Sequence, residues 1–286
     1  MKKIFYPLLI VFAAILWGVS GLFVRSLSAQ GFSTYEIVFL RLLCSATLIT
    51  LAFLIFDRKA FRIKLKDVPF FIGSGVVGVL GCSFFYFATM ERASLSVACI
   101  LMYTAPIFVT FLSAILFKEK ITKFKLLGLV LTFAGCILCS YKKGGFALTI
   151  PTFFIGLCSG ICYGSYSIFS RFAINRGYES KSILLYSFIF AFLGSAFIVP
   201  YGDFIINVSR GVDFIMPTIG LAVIATAMPY WLYTAGLKKV ENSKASIIAC
   251  LEIVSSLLVG LIFYTEIPSI YNILGIILVF ISVIIL

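Results

Sequence analysis

The chain has no histidine, and only 11 of its 286 residues are acidic. The first absence removes the commonest metal ligand and the usual proton shuttle near neutral pH. The second leaves few carboxylates for paired acid–base chemistry. Charged residues of both signs make up 12% of the chain against 62% hydrophobic, too few to clothe a soluble domain of this size. Long hydrophilic stretches are missing too. The widest gaps between apolar runs, 57–68 and 202–213, are about a dozen residues, too short to bury a core. This argues against a ligand-binding ectodomain or a soluble catalytic module. No Walker motif is present, so no nucleotide-hydrolysis site is expected within the chain.

What the chain does have is apolar runs, with a mean hydropathy of +1.15. Ten of them, at 4–23, 34–56, 69–90, 94–117, 124–141, 151–169, 183–201, 214–233, 245–264 and 271–286, suit a hydrocarbon layer of about 30 Å at about 1.5 Å per helical residue. Unbroken stretches such as Leu8-Leu9-Ile10-Val11-Phe12 do not alternate, which predicts helices rather than a barrel. Lys2 and Lys3 precede the first run, but no small-residue cleavage site leads into a hydrophilic mature chain. It reads as a retained helix rather than a signal peptide. The expected fold is therefore an all-α integral membrane protein of about ten transmembrane helices.

The net charge of +12 is distributed as a topology signal rather than a nucleic-acid surface. With the N-terminus inside, Lys2, Lys3, Arg58, Lys59, Arg62, Lys64, Lys66, Lys118, Lys120, Lys123, Lys125, Arg171, Arg176, Lys181, Lys238, Lys239 and Lys244 are all cytoplasmic, 17 of the 23 basic residues. Arg25, Arg92, Lys142, Lys143 and Arg210 face outward, and Arg41 lies within a span. The bias predicts cytoplasmic termini, with anionic lipid a secondary partner of the basic loops.

Cys44, Cys82, Cys99, Cys136, Cys139, Cys158, Cys162 and Cys250 all fall inside apolar runs. No disulfide framework is expected. Cys136/Cys139 and Cys158/Cys162 could each share a helix face, but the ordinary reading is small buried hydrophobes, with no metal site. Gly73-Ser74-Gly75-Val76-Val77-Gly78 spells a dinucleotide fingerprint inside an apolar run, without the strand that motif requires. It reads as close helix packing instead. Gly156, Gly160 and Gly164 form a small-residue face suited to packing within the chain or between two copies. A monomer and a homodimer are both compatible with the sequence.

The halves repeat. An offset of 146 aligns Gly18 with Gly164, Phe23 with Phe169, Arg25 with Arg171 and Gly31 with Gly177. An offset of 147 aligns Tyr86-Phe87-Ala88 with Tyr233-Thr234-Ala235, Ala98 with Ala245, Glu119 with Glu266 and Gly128 with Gly275. Five spans per half force the second half to enter inverted, so two inverted five-helix repeats are expected at 1–144 and 145–286. Such pairs are common in transporters, where a central site opens alternately to either side, and they occur in channels as well.

Several motifs carry a wider resemblance: Leu16-Trp17-Gly18-Val19-Ser20 with Phe23, then Arg41, Tyr86-Phe87-Ala88, Tyr103-Thr104-Ala105-Pro106, Phe117-Lys118-Glu119-Lys120-Ile121-Thr122 and Gly128. Across its full length the chain resembles the EamA-type branch of the drug/metabolite transporter superfamily. It departs from that pattern at Ile253, where the family has proline, and at Thr265, where glycine is usual. The resemblance implies a ten-helix, two-repeat secondary transporter of amino acids or related small metabolites, frequently an exporter, in the plasma membrane. A membrane-embedded scaffold, sensor or enzyme is the alternative.

Trp17, Tyr86, Tyr103, Tyr163, Tyr166, Tyr230 and Tyr233 supply aromatic surface with polar handles, and are the cavity candidates. For Trp17, buried packing or an interface anchor is the favoured reading over binding, although its depth in the span weakens the anchor explanation. Ser20, Ser83, Thr104, Ser165, Ser167, Thr226, Ser255 and Ser256 add neutral polar groups. Such a lining suits a small amphipathic molecule such as an amino acid better than a nucleotide sugar, whose phosphates call for more basic residues. Arg41 and Glu252 are the clearest charges inside the spans, costly in hydrocarbon unless paired or hydrated. Each lies about 10 Å deep from opposite faces. No cofactor is expected; coupling to a proton gradient through Glu252 is compatible with the sequence.

Overall fold

The computed structural model describes residues 2–141 and 149–286. Lys142, Lys143 and the boundary at 144/145 lie outside the described residues, as do the side chains of Lys2 and Lys3. Eight apolar helical spans are long enough to cross a membrane: Ile4–Ala29, Thr34–Phe56, Leu65–Arg92, Leu95–Phe117, Lys123–Ser140, Ile150–Asn175, Ile215–Leu237 and Asn242–Tyr264. Two shorter apolar helices, Ser180–Ser195 and Ile270–Ile284, bring the number to ten. In chain order Ser180–Ser195 is the seventh span and Ile270–Ile284 the tenth. There is no strand among the described residues. The outward side chains, such as Phe12, Leu51, Ile115, Val130, Phe154 and Ile262, are apolar, as contact with lipid requires.

The seventh span differs from the expected 183–201. Its helix stops at Ser195, and the chain turns through Pro200 into a separate short helix, Tyr201–Ser209. Pro200 has no N–H to continue the ladder. The short helix is tied to the second span by Asn207, whose Nδ2 donates to Glu36 Oε1 at 3.0 Å and to the Gly31 carbonyl at 3.2 Å. Glu36 is fully buried and also caps its own helix, accepting from the Ser33 N–H at 2.6 Å.

Glycine does what the packing reading expected. A Cβ on Gly75 would sit 2.2 Å from the Ser187 carbonyl oxygen, and one on Gly78 2.9 Å from the Tyr166 backbone. The third span is thus wedged against the sixth and seventh. A Cβ on Gly156 would lie 2.2 Å from Leu101, and one on Gly160 2.5 Å from Thr104. That glycine face is used inside the chain, against the fourth span.

The repeat extends to departures from regular helix. The fourth span is interrupted at Tyr103–Thr104 and the ninth at Cys250, positions 147 apart at 103 and 250. The third span winds into a wider π-helical stretch at Gly73–Gly81 and the eighth at Val223–Ala227, again overlapping at that offset. The only non-glycine residues with positive φ among those described are Lys118 (57°) and Thr265 (54°), also repeat equivalents. Gly31 (93°) and Gly177 (88°) form a fourth such pair. The first and sixth spans break the rule: Ile4–Ala29 is interrupted at Val19, whereas Ile150–Asn175 runs unbroken.

The basic loops gather at one end of the bundle. Arg176 pairs with Asp67 at 3.2 Å, and Lys181 with Asp57 at 2.5 Å, joining the loop after the second span to the one after the sixth. The Lys125 ammonium bridges to Glu241 at 2.8 Å, joining the fourth-to-fifth connection to the eighth-to-ninth. Lys125 is only 2% exposed, so this lysine is a buried structural charge rather than a group facing lipid headgroups.

Candidate functional site

The interruptions at Tyr103 and Cys250 both lie in the main buried core. In the ninth span the backbone tightens at Cys250, whose N–H bonds the Ile247 carbonyl while its own carbonyl accepts from Ile253. This happens without the proline that Ile253 replaces. Glu252 therefore stands in the first turn of a fresh helix, Leu251–Tyr264, where the unpaired N–H groups favour a negative charge. Its repeat counterpart is Ala105, so only one half carries the carboxylate.

Glu252 Oε2 accepts a hydrogen bond from the Tyr163 hydroxyl at 3.1 Å. Tyr163 in turn stacks edge-on against Trp17, ring centroids 6.4 Å apart. Trp17 also meets Tyr230 at 5.1 Å and Tyr233 at 5.4 Å. Tyr166 packs on Tyr230 at 4.8 Å and bonds Thr234 Oγ1 at 2.7 Å. Phe188 closes the cluster against Tyr230 at 5.2 Å. Span one comes this close because Gly18 has no side chain. A Cβ there would fall 2.4 Å from Ser255 Cβ and 2.9 Å from the Glu252 carbonyl.

Arg41 reaches the same region from the second span, donating to Ser83 Oγ at 2.9 Å, while its Nε is buried without a partner. No direct ion pair joins Arg41 to Glu252 among the described residues. Tyr86 bonds Cys99 Sγ at 3.2 Å. Tyr103, at the fourth-span interruption, is buried in the same core. Tyr86 and Tyr230 pack against that core too. The structure thus gathers Trp17, Tyr163, Tyr166, Tyr230, Tyr233 and Glu252 tightly, with Arg41, Tyr86 and Tyr103 around them.

The neutral polar groups behave differently. Thr104, Ser165, Ser167, Thr226 and Ser255 all donate to carbonyls of their own helices. Thr104 and Thr226 do so at a helix interruption and in a π-helical stretch, Ser165 and Ser167 within the unbroken sixth span. Sequence reasoning missed Phe188, Cys99 and Thr234 as members of this centre. An apolar ring, a thiol and a mid-helix threonine carry no signal of their own in so apolar a chain.

The EamA-like transporter family pattern matches residues 4–141 and 150–286. A protein of Archaeoglobus fulgidus named an uncharacterized transporter is 29% identical over 93% of this chain and 90% of its own. A Salmonella typhimurium protein named an uncharacterized inner membrane transporter, YicL, is 25% identical over 97% of this chain and 93% of its own. A solved crystal structure with 17% sequence identity covers 98% of this chain and 95% of its own at a TM-score of 0.79, a likeness of fold.

Proposed function

The chain belongs to the EamA-like transporter family, and on that premise we propose that it is a secondary transporter of small amphipathic metabolites, amino acids foremost, working through the centre around Glu252. The observation that carries this reading is the pair of equivalent helix interruptions at Tyr103 and Cys250. Interrupted spans at corresponding positions of two inverted repeats are where such proteins hold their cargo. Glu252 supplies a carboxylate for a cationic group, Arg41 a guanidinium for an anionic one, and the Trp17–Tyr163–Tyr230 rings a surface for an apolar side chain. A zwitterion with an apolar side chain matches all three. Glu252 is also the group that would carry a proton in exchange for cargo.

The gathering of basic loops at one end supports a plasma-membrane protein with both termini in the cytoplasm. The Salmonella relative is named an inner membrane protein, which agrees. Flux through proteoliposomes tests the reading, using a panel of amino acids with and without an imposed pH gradient. At least one amino acid is expected to move, and Glu252→Gln to abolish its response to the gradient. A folded protein that moves none of the panel overturns the substrate class.

A further inference from the structure

Two inter-repeat locks, at opposite ends of the bundle, are images of each other under the repeat. At one end Arg25 Nη1 pairs with Glu266 Oε1 at 2.8 Å, the first half reaching the second. Exchanging the halves turns Arg25 into Arg171 and Glu266 into Glu119. These two are also joined, through Asn242: Arg171 Nε donates to Asn242 Oδ1 at 2.8 Å, and the Asn242 N–H donates to Glu119 Oε1 at 2.8 Å. Connectivity places the first lock where the first and ninth spans end. The second lies where the fourth and sixth spans end.

The backbone prepares both glutamates in the same way. Each follows one of the two left-handed residues, Lys118 or Thr265. Each sends its N–H back to the last turn of its span, Glu119 to Ser113 at 3.2 Å and Glu266 to Gly260 at 3.1 Å. A left-handed threonine is an uncommon and unfavourable conformation. Among the described residues that strain is confined to two equivalent positions, and both present a carboxylate to the opposite half, as a switch element would.

The locks are unequal. Arg25 and Glu266 are 48% and 55% exposed, with the guanidinium 4.2 Å from the Tyr264 ring centre. Glu119 is 9% exposed and also holds Ser243 Oγ at 2.5 Å and the Lys125 ammonium at 3.8 Å. Lys125 is itself neutralised by Glu241 at 2.8 Å. The sequence carries the difference: Lys125, Glu241 and Asn242 have Asn272, Ser94 and Leu95 as their repeat counterparts. An exposed pair in water is weak, whereas breaking a buried, fully bonded network strands charges away from water.

We propose that the Arg25–Glu266 pair and the Arg171–Asn242–Glu119 chain are the two gates of the transport cycle, opening in alternation, with the second held shut at rest. This rests on the transporter reading but not on any particular cargo. The test uses electron spin distance measurements in proteoliposomes, with labels on genetically encoded keto residues so that the native cysteines stay in place. One label pair, at Ser28 and Ile267, reports the Arg25 end; another, at Lys120 and Asn175, reports the Arg171 end. Wild type is expected to show short and long populations at the first end and a single short one at the second. Glu119→Gln should lengthen the second distance and remove the long population from the first. Arg25→Ala should shift the first end to its long population and leave the second short. The charge exchange Arg25→Glu with Glu266→Arg should restore the wild-type distribution, which a merely misfolded variant would not do. Variants that open both ends together, or leave both distances unchanged, overturn the assignment. Because these distances need no solute, the gate assignment and the transport reading fail separately.

Discussion

Tyr163 of the sixth span donates its hydroxyl to Glu252 of the ninth at 3.1 Å, linking the aromatic cluster directly to the one carboxylate at a helix interruption. Removing the hydroxyl alone separates chemistry from packing. Tyr163→Phe keeps the ring against Trp17 and takes away one bond, worth about 1.5–3 kcal/mol where the acceptor is charged. The expected outcome is a folded protein with altered flux and an altered flux–pH profile. Trp17→Ala should instead cost about 3–5 kcal/mol of stability, visible as loss of monodisperse protein. Flux and pH profile unchanged in Tyr163→Phe would remove this bond from the mechanism.

Gly18 and Gly21 form a matched experiment within one span. A Cβ at Gly18 meets backbone and Cβ atoms of the ninth span under 3 Å, while one at Gly21 meets nothing within 4 Å. Gly18→Ala should force the spans apart at a cost of about 1–3 kcal/mol. Gly21→Ala should be neutral or stabilise by up to about 1 kcal/mol through helix propensity. Thermal unfolding in detergent reads both, and equal effects at the two positions would contradict the packing argument.

The ten spans were legible because hydrocarbon demands long apolar helices, and the Glu119/Glu266 match pointed to the repeat before any contact was known. Glu252 and Arg41 stood out because an isolated charge in an apolar run needs a reason. The interruptions at Tyr103 and Cys250 were not legible. Cys250 has neither proline nor glycine beside it, so nothing local marks its kink. Nor was the Lys125–Glu119–Asn242 network: polar residues at a span end look like loop until the fold buries them. Nor could the sequence show that Arg41 and Glu252 are held by separate partners, Ser83 and Tyr163.

Asp57 gives a pH signature outside the membrane. Lys181 bonded to its carboxylate holds its pKa below the ordinary value, aided by the Lys59 N–H. A depressed folded pKa means the stabilisation is complete above the unfolded value of about 3.9 and is lost as pH falls through the folded one. The stability gap between wild type and Asp57→Asn should therefore be constant near neutrality and close in acid. Because the pair is partly exposed, added salt should narrow it as well. A gap that widens on acidification would refute the assignment.

Thr265 offers the sharpest stability test. Its φ of 54° is a conformation that costs an L-residue about 1–2 kcal/mol and glycine almost nothing. The hydroxyl recovers part of this by bonding the Tyr264 carbonyl at 2.7 Å. Thr265→Val keeps the strain and discards that bond, so it should destabilise. Thr265→Gly removes the strain but frees the unfolded chain, leaving a net gain of about 1 kcal/mol or less. The order of unfolding temperatures should be glycine at or above threonine, and threonine above valine. Lys118→Gly, at the equivalent turn with φ 57°, should move the same way. Valine as stable as glycine at 265 would mean that the turn is not left-handed in the membrane, and the geometry presenting Glu266 would fall with it.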